Sequence, residues 1–342
     1  MNSTRTSGLR LSSLLVLLAS GPLIAVPTVR ETAGKFGDCK LLSTPSGMRV
    51  FVTAGGDLHS KSFLADEPLA GFTPAIKASW LAVTTTPDRT QSIALVASFA
   101  DRRARVYRIS PDGTAELAAV LAGVDEKLRI DPTLLRRGDR YFATLTEIDG
   151  MVNNQYPLKG GVYTVRLYTS PDLIHWTKGP AVLSMRANLE DGSLFGDEAA
   201  GRLYYFCENE PYDKGPSSII LVRSDDEGRT WTEPITVFED GSDNEPATAW
   251  IENGELRFFF SSDRRQPGKS YDGGDAYYAR FRLSDYRLLG EQHLAEARSG
   301  LLLYSGALNG SDAFLVGLRN FSRDSSLVEA RVSLPAASAS GR

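Results

Sequence analysis

From Cys39 onward, apolar positions fall in short runs of Val, Ile, Leu, Tyr, Phe and Thr bounded by Gly, Asp, Asn or Pro. Helix-length stretches with a 3.6-residue period are missing, so the pattern predicts strands and turns. In one representative stretch the runs cover 133–136, 140–146, 163–168 and 181–183. The runs also recur. Four segments end an apolar or aromatic run in Ser-x-Asp or Ser-Asp, at Ser110, Ser170, Ser224 and Ser284, spaced 60, 54 and 60 residues apart. A second marker, an acidic residue followed by Pro or Gly and then an apolar run, falls at Asp131, Asp191 and Glu245, again 60 and 54 apart. Two marker sets moving in step predict a structural repeat of four strands.

One four-stranded sheet cannot bury both of its faces alone, and repeats of this size stack radially as propeller blades. The phases place blades at 75–125, 130–186, 190–240, 244–296 and 300–334. The last shows only three runs, and the leading segment 41–54 supplies a strand without a blade, so pairing of the two ends would close a five-bladed ring. A hairpin-like piece at 57–64 leaves six blades as the alternative. The expected organisation is a single all-β propeller domain over 38–335, followed by a flexible tail at 336–342.

The first 26 residues carry Arg5 and Arg10, then an apolar run from Leu11 to Ala19 and a second from Leu23 to Val26. Charge followed by apolar residues is the order of a secretory signal peptide, with an uncleaved anchor as the alternative reading. The mature protein is then expected to be secreted or periplasmic, without a membrane span, and monomeric. Lys+Arg is 38 against Asp+Glu 42, with no dense basic cluster, which argues against a nucleic-acid partner. Cys39 and Cys207 are far apart, and His59, His175 and His293 are scattered, so neither a zinc site nor a disulfide framework is expected. Export would make the two cysteines candidates for one disulfide, while the apolar run around Cys207 suits a buried thiol.

The segment SDDEGRTW, Ser224 to Trp231, fits a Ser-x-Asp-x-Gly-x-Thr-Trp hairpin, and TSPDLIHW, Thr169 to Trp176, occupies the equivalent place one unit earlier. The chemistry of these segments is structural. Asp accepts from turn N–H groups, Gly supplies a positive φ and Trp packs between sheets. Asp131, Asp191 and Glu245 differ, because each opens a blade. Residues at the leading ends of innermost strands converge on one mouth of a propeller. Carboxylates gathered there can be pushed to different pKa values, one ionised and one protonated, which is the equipment for breaking a glycosidic bond.

These same stretches, DPTLLRRGDRYFATL, TSPDLIHW, EDGSLFGDEAAGRLYYF and NEPATAWIENGELRFFFSSDR, resemble the blade openings and outer hairpins of the five-bladed glycoside hydrolases. The groups are those of the arabinanases and β-xylosidases and of the invertases and fructosidases, and the likeness runs from about Asp131 to Asp285. It implies a poly- or oligosaccharide substrate and an inverting mechanism; the alternative is a non-catalytic propeller that uses the same pocket to bind a carbohydrate or a partner protein. Glu245 resembles the general acid, Asp191 the carboxylate that tunes it, and Asp131 the base. A stricter register puts the base near 70–90, where only Asp88 is available. In the invertase group Asp131 would match the stabilising Asp and Glu190 the acid. SDDEGRTW also resembles the Asp-box of sialidases and trans-sialidases, which implies a Glu at the position of Glu245 activating a tyrosine, and arginines such as Arg264 and Arg319 holding a carboxylate sugar.

Around such a pocket, sugar hydrolases need aromatic faces and polar groups. Trp80 and Trp250 are candidates for stacking, with a place in the core as the equal alternative, and Glu147, Glu208 and Arg264, which end second strands, are candidates for the rim. No cofactor is expected, and no metal beyond a structural calcium ion in the loop Asp272 to Asp275, for which a plain turn is the alternative. Asn309-Gly-Ser and Asn320-Phe-Ser are sequons for glycosylation in a eukaryotic source.

Overall fold

The computed structural model describes residues 27–122, 127–149, 161–211, 215–295, 300–321 and 324–334. The segments read as signal peptide and flexible tail lie outside these.

The chain forms a six-bladed β-propeller. A first strand, β1 (Thr28–Thr32), precedes the first complete sheet, β2 (Phe36–Thr44), β3 (Gly47–Ala54), β4 (Asp57–Ser62) and β5 (Ala70–Gly71). The second sheet holds β6 (Trp80–Thr85), β7 (Ser92–Ala97), β8 (Ala104–Ile109) and β9 (Ala115–Ala122). The third holds β10 (Leu128–Arg137), β11 (Arg140–Asp149), β12 (Val162–Ser170) and β13 (Thr177–Met185). The fourth holds β14 (Ser193–Asp197), β15 (Arg202–Asn209), β16 (Ser218–Ser224) and β17 (Ile235–Phe238). The fifth holds β18 (Asn244–Glu252), β19 (Glu255–Ser262), β20 (Asp275–Arg282) and β21 (Leu288–His293). The sixth holds β22 (Leu301–Asn309), β23 (Asp312–Arg319) and β24 (Ser326–Ser333), with β1 antiparallel to β24 as its fourth strand.

Five of these sheets match the blades expected from the repeat. The count of five needs correction to six, because residues 41–54 are not a spare strand but most of the β2–β3 hairpin of a further sheet, and 57–64 carries its third strand. The strand that joins the last sheet is the earlier segment Thr28–Thr32.

Within each sheet, alternate side chains face opposite neighbours, so every sheet buries both faces. Six hydrophobic clusters result, each shared by two successive sheets, and one of them joins Val316 and Leu318 of the sixth to Cys39 and Val50 of the first. The fourth-to-fifth contact is rich in aromatic rings, with Phe206 and Phe258 centroids 4.9 Å apart. Burying each such ring stabilises the fold by roughly 1.5–3 kcal/mol. The first strands of successive sheets, β2, β6, β10, β14, β18 and β22, pack against one another at the centre.

The outer hairpins behave as structural elements. Asp226 accepts hydrogen bonds from Thr230 N (2.9 Å) and Ser224 Oγ (2.8 Å), Gly228 has φ +86°, and Trp231 Nε1 donates to Gly228 O at 3.2 Å. Asp172 accepts from Ile174 N and His175 N at 2.9 and 2.8 Å, and these bonds hold its pKa well below the usual carboxylate range. Cys39 and Cys207 are free, buried thiols in different sheets.

Candidate functional site

Five of the six central strands present a polar side chain at the same end. These are Asp38 on β2, Asp131 on β10, Asp191 just before β14, Glu245 on β18 and Tyr304 on β22, while Trp80 opens β6. The local backbone explains the convergence. Pairing with the second strand slips between Phe36 and Cys39, between Ile130 and Thr133, between Pro246 and Thr248, and between Leu303 and Ser305. A bulge at this point bends the strand and re-aims its side chains, and bulges concentrate next to active sites. Asp131 and Asp191 also sit at φ +44° and +48°, a left-handed conformation that costs a non-glycine residue on the order of 1–3 kcal/mol. Gly192 follows because the Tyr205 hydroxyl occupies the place where a Cβ would go.

The three acids picked out by phase come together. Asp191 N donates to Asp131 Oδ2 at 3.3 Å, and the carboxylate oxygens of Asp191, Glu208 and Glu245 lie within 4.8 Å of one another. Glu208 is also part of a second trio, with Glu210 and Asp243, of the same compactness. Glu245 and Glu208 are 4% and 2% exposed, whereas Asp131 and Asp191 are half-buried. Glu190 sits beside the group, its carbonyl accepting from Glu208 N at 3.1 Å.

Burial, and then the charges of Glu208, Asp191 and Asp243, push the Glu245 carboxyl well above its ordinary range. Burial with Glu210 and Asp243 does the same to Glu208, and burial with Asp191 and Asp38 does the same to Asp131. Asp191 is also raised by burial, but its hydrogen bond with Glu245 and the nearby Lys40 pull it back. A hydrogen bond between two carboxyls requires that one hold the proton, and this contact raises the pKa of Glu245 while it lowers that of Asp191.

Sequence reasoning missed Asp38 and Lys40. Lys40 Nζ lies 3.1 Å from Asp38 Oδ1 and donates to Tyr304 O at 3.2 Å, over the Tyr304 ring. Burial works against its charge, but Asp38 and Asp191 more than offset this and raise its pKa. Asp38, 3% exposed, is raised by burial and held down by Lys40 and by Leu81 N, which donates to Oδ2 at 2.8 Å. Asp38 lacks the following Pro or Gly that marked the other blade openings. Its burial behind an apolar neighbour pattern gave no separate signal.

Other rim candidates are placed elsewhere. Asp88 is exposed in the β6–β7 turn, bonded to Thr86 and Thr90. Trp250 stacks on Tyr278 in the core between the fifth and sixth sheets. Arg264 is held by Asp240 and Glu291 at 3.1 and 2.6 Å, and Arg319 pairs with Glu31 at 3.2 Å. Glu147 is buried under Arg129, Arg166 and Lys178. In the loop read as a calcium candidate, Asp272 is exposed while Asp275 pairs with Arg265 and His293. The cavity of about 530 Å³ between the first and second sheets opens on the opposite face and holds none of the central acids.

The comparisons bear on this arrangement. No protein-family model matches the sequence, and no curated protein matches it. Solved structures do match. A protein of unknown function from Dyadobacter fermentans superposes with a TM-score of 0.64 at 11% identity, over 91% of this chain and 98% of that one. An α-L-arabinofuranosidase from Fusarium graminearum, bound to an iminosugar inhibitor, gives 0.61 at 9% identity over the same shares. The chain shares its fold with glycoside hydrolase propellers. A complex of the Fusarium graminearum family 93 α-L-arabinofuranosidase with arabinobiose gives 0.50 at 10% identity, over 74% of this chain and 92% of that one. Among the described residues, no helix is long and apolar enough to cross a membrane.

Proposed function

We propose that this chain is an exported glycoside hydrolase acting on poly- or oligosaccharides, with Glu245 as proton donor, Asp131 as base and Asp191 as the group that tunes the donor. The observation that carries this reading is the meeting of Asp191, Glu208 and Glu245 within 4.8 Å, with Asp191 also bonded to Asp131. A proton donor must be neutral at working pH, and crowding by buried carboxylates favours that state for Glu245. Glu245 gives its proton to the glycosidic oxygen as the anomeric C–O bond breaks. Asp131 takes a proton from the water whose oxygen attacks the anomeric carbon from the other side, so configuration inverts.

Exposure supports Asp131 over Asp38 as the base. Asp38 is 3% exposed and engaged by Lys40 and Leu81 N, whereas Asp131 is half-buried. Asp191 touches both partners, through its N–H to Asp131 and through its carboxylate to Glu245. Burial raises Asp131 as well, but Lys40 and the Asp191 N–H pull it back toward the ionised state a base needs, and Lys40 acts in the same sense on Asp38 and Asp191. Half-buried Tyr304, Phe321 and Tyr271, in ring contact at 6.2 and 5.4 Å, lead outward from the acids and offer faces to sugar rings. The sialidase-like reading ranks lower, because Arg264 and Arg319 are both committed to carboxylates.

Arabinofuranosides and arabinan-derived oligosaccharides, suggested by the Fusarium neighbour, come first in a substrate panel that also includes xylosides, fructosides and a fluorescent sialoside. The reading expects sugar release from one of the first three groups, with the inverted anomer appearing first by proton NMR. Binding of the panel sugars without any cleavage would contradict it.

A further inference from the structure

The cavity between the first and second sheets is a built site that the proposed hydrolase chemistry does not use. It has a volume of about 530 Å³, inside the range of about 300–1,000 Å³ usual for small-molecule sites. Its floor is apolar. Half-buried Phe72 lies parallel to the buried Phe51 ring at 6.1 Å, and buried Ile109 also lines the cavity. Two arginines also line it, Arg49 and the exposed Arg89. Half-buried Arg49 donates from Nη2 to the hydroxyl of Ser60, itself 2% exposed, at 2.8 Å. Arg89, at φ +59°, is turned onto Ser43, its Nη2 donating to the carbonyl and the hydroxyl at 3.2 and 3.3 Å. Among the described residues neither arginine is ion-paired. The carboxylate on the rim, Asp112, is turned back to accept from Thr114 N at 2.9 Å.

We propose that this cavity binds a small anion with a flat apolar body, such as an aromatic carboxylate. The ring system would lie on Phe72, which the buried Phe51 ring backs, and the carboxylate would take the open donors of Arg49 and Arg89. Aromatic faces supply the area and the fixed fork of arginine supplies the polarity. The proposal is independent of the glycosidase reading, since the cavity opens on the other face.

The test uses the full chain, 2-naphthoate as probe and neutral 2-naphthamide as control, titrated by calorimetry. The expected result is saturable one-to-one binding of 2-naphthoate, weakened about 10-fold or more by Arg49→Gln with Arg89→Gln, with naphthamide binding weaker and unchanged in that variant. Ser46→Trp, a bulky side chain placed on the lining, should abolish binding of both compounds. Absence of saturable binding, equal affinity for the two compounds, or 2-naphthoate binding that survives both variants would each overturn the proposal.

Discussion

The backbone N–H of Asp191 donates to the carboxylate of Asp131 at 3.3 Å, although 60 residues separate them. Each residue is held in a left-handed backbone conformation at the mouth end of a central strand. Strain of this kind persists only where surrounding structure enforces it, and it clusters at working sites.

Lys40 is the cation nearest this group, and removing it has a signed consequence. Its charge lowers the pKa of Asp38, Asp191 and Asp131. In Lys40→Met all three rise, so the base ionises only at higher pH. The acidic limb of the kcat/KM profile should move upward in pH, with a drop in activity on the acidic side that shrinks toward alkaline pH. An unmoved limb would show that Lys40 does not act on the base.

The crowded acids also set how stability responds to pH. Glu208 and Glu245 have folded pKa values raised well above the ordinary 4.5, so the folded protein binds more protons than the unfolded chain from about that pH upward. Stability is therefore full below the ordinary value and is lost as pH rises through the folded values. Glu208→Gln removes one such group. Its melting temperature should exceed that of the wild type by a few degrees at about pH 8, on the order of 1–2 kcal/mol, with the gain vanishing near about pH 4.

At the contact between the first and sixth sheets, Lys61 and Glu329 form an ion pair at 2.5 Å with side chains 2% and 0% exposed, and Glu329 also accepts from Leu64 N at 2.6 Å. Truncating one partner strands a buried charge. Lys61→Met should cost about 3–5 kcal/mol in urea unfolding, and Lys61→Met with Glu329→Gln should cost less than Lys61→Met alone.

Phe321 bridges Tyr304 and Tyr271. If those rings carry outer sugar units, Phe321→Ala should raise KM about 5–10-fold for the longest oligosaccharide cleaved and leave a single-sugar aryl glycoside unchanged. Equal effects on both would place the ring outside the binding path.

Much of this arrangement was legible in the sequence because the repeat is marked twice, by Ser-Asp hairpins and by acids before Pro or Gly. Asp131, Asp191 and Glu245 follow from that phase. The first blade escaped because its outer strand is only Ala70–Gly71, and its central strand runs Asp38-Cys39-Lys40 without the marker. Asp38 and Lys40 went with it. Trp250 takes the core place that was its alternative reading. It lies past the Pro246–Thr248 irregularity, where the alternation of faces changes, and it packs into the core. Arg264 and Arg319 depended on partners from distant strands, Glu291 and Glu31, which spacing along the chain does not reveal.

The role of Glu245 can be tested without knowing the natural substrate, by comparing leaving groups on whichever sugar the protein releases. A poor leaving group needs a proton from the enzyme, whereas 2,4-dinitrophenolate departs unaided. For Glu245→Gln, the account predicts a loss of about 10²–10⁴-fold on the oligosaccharide and near wild-type release of 2,4-dinitrophenol. Full activity on both substrates, or an equal loss on both, would contradict it.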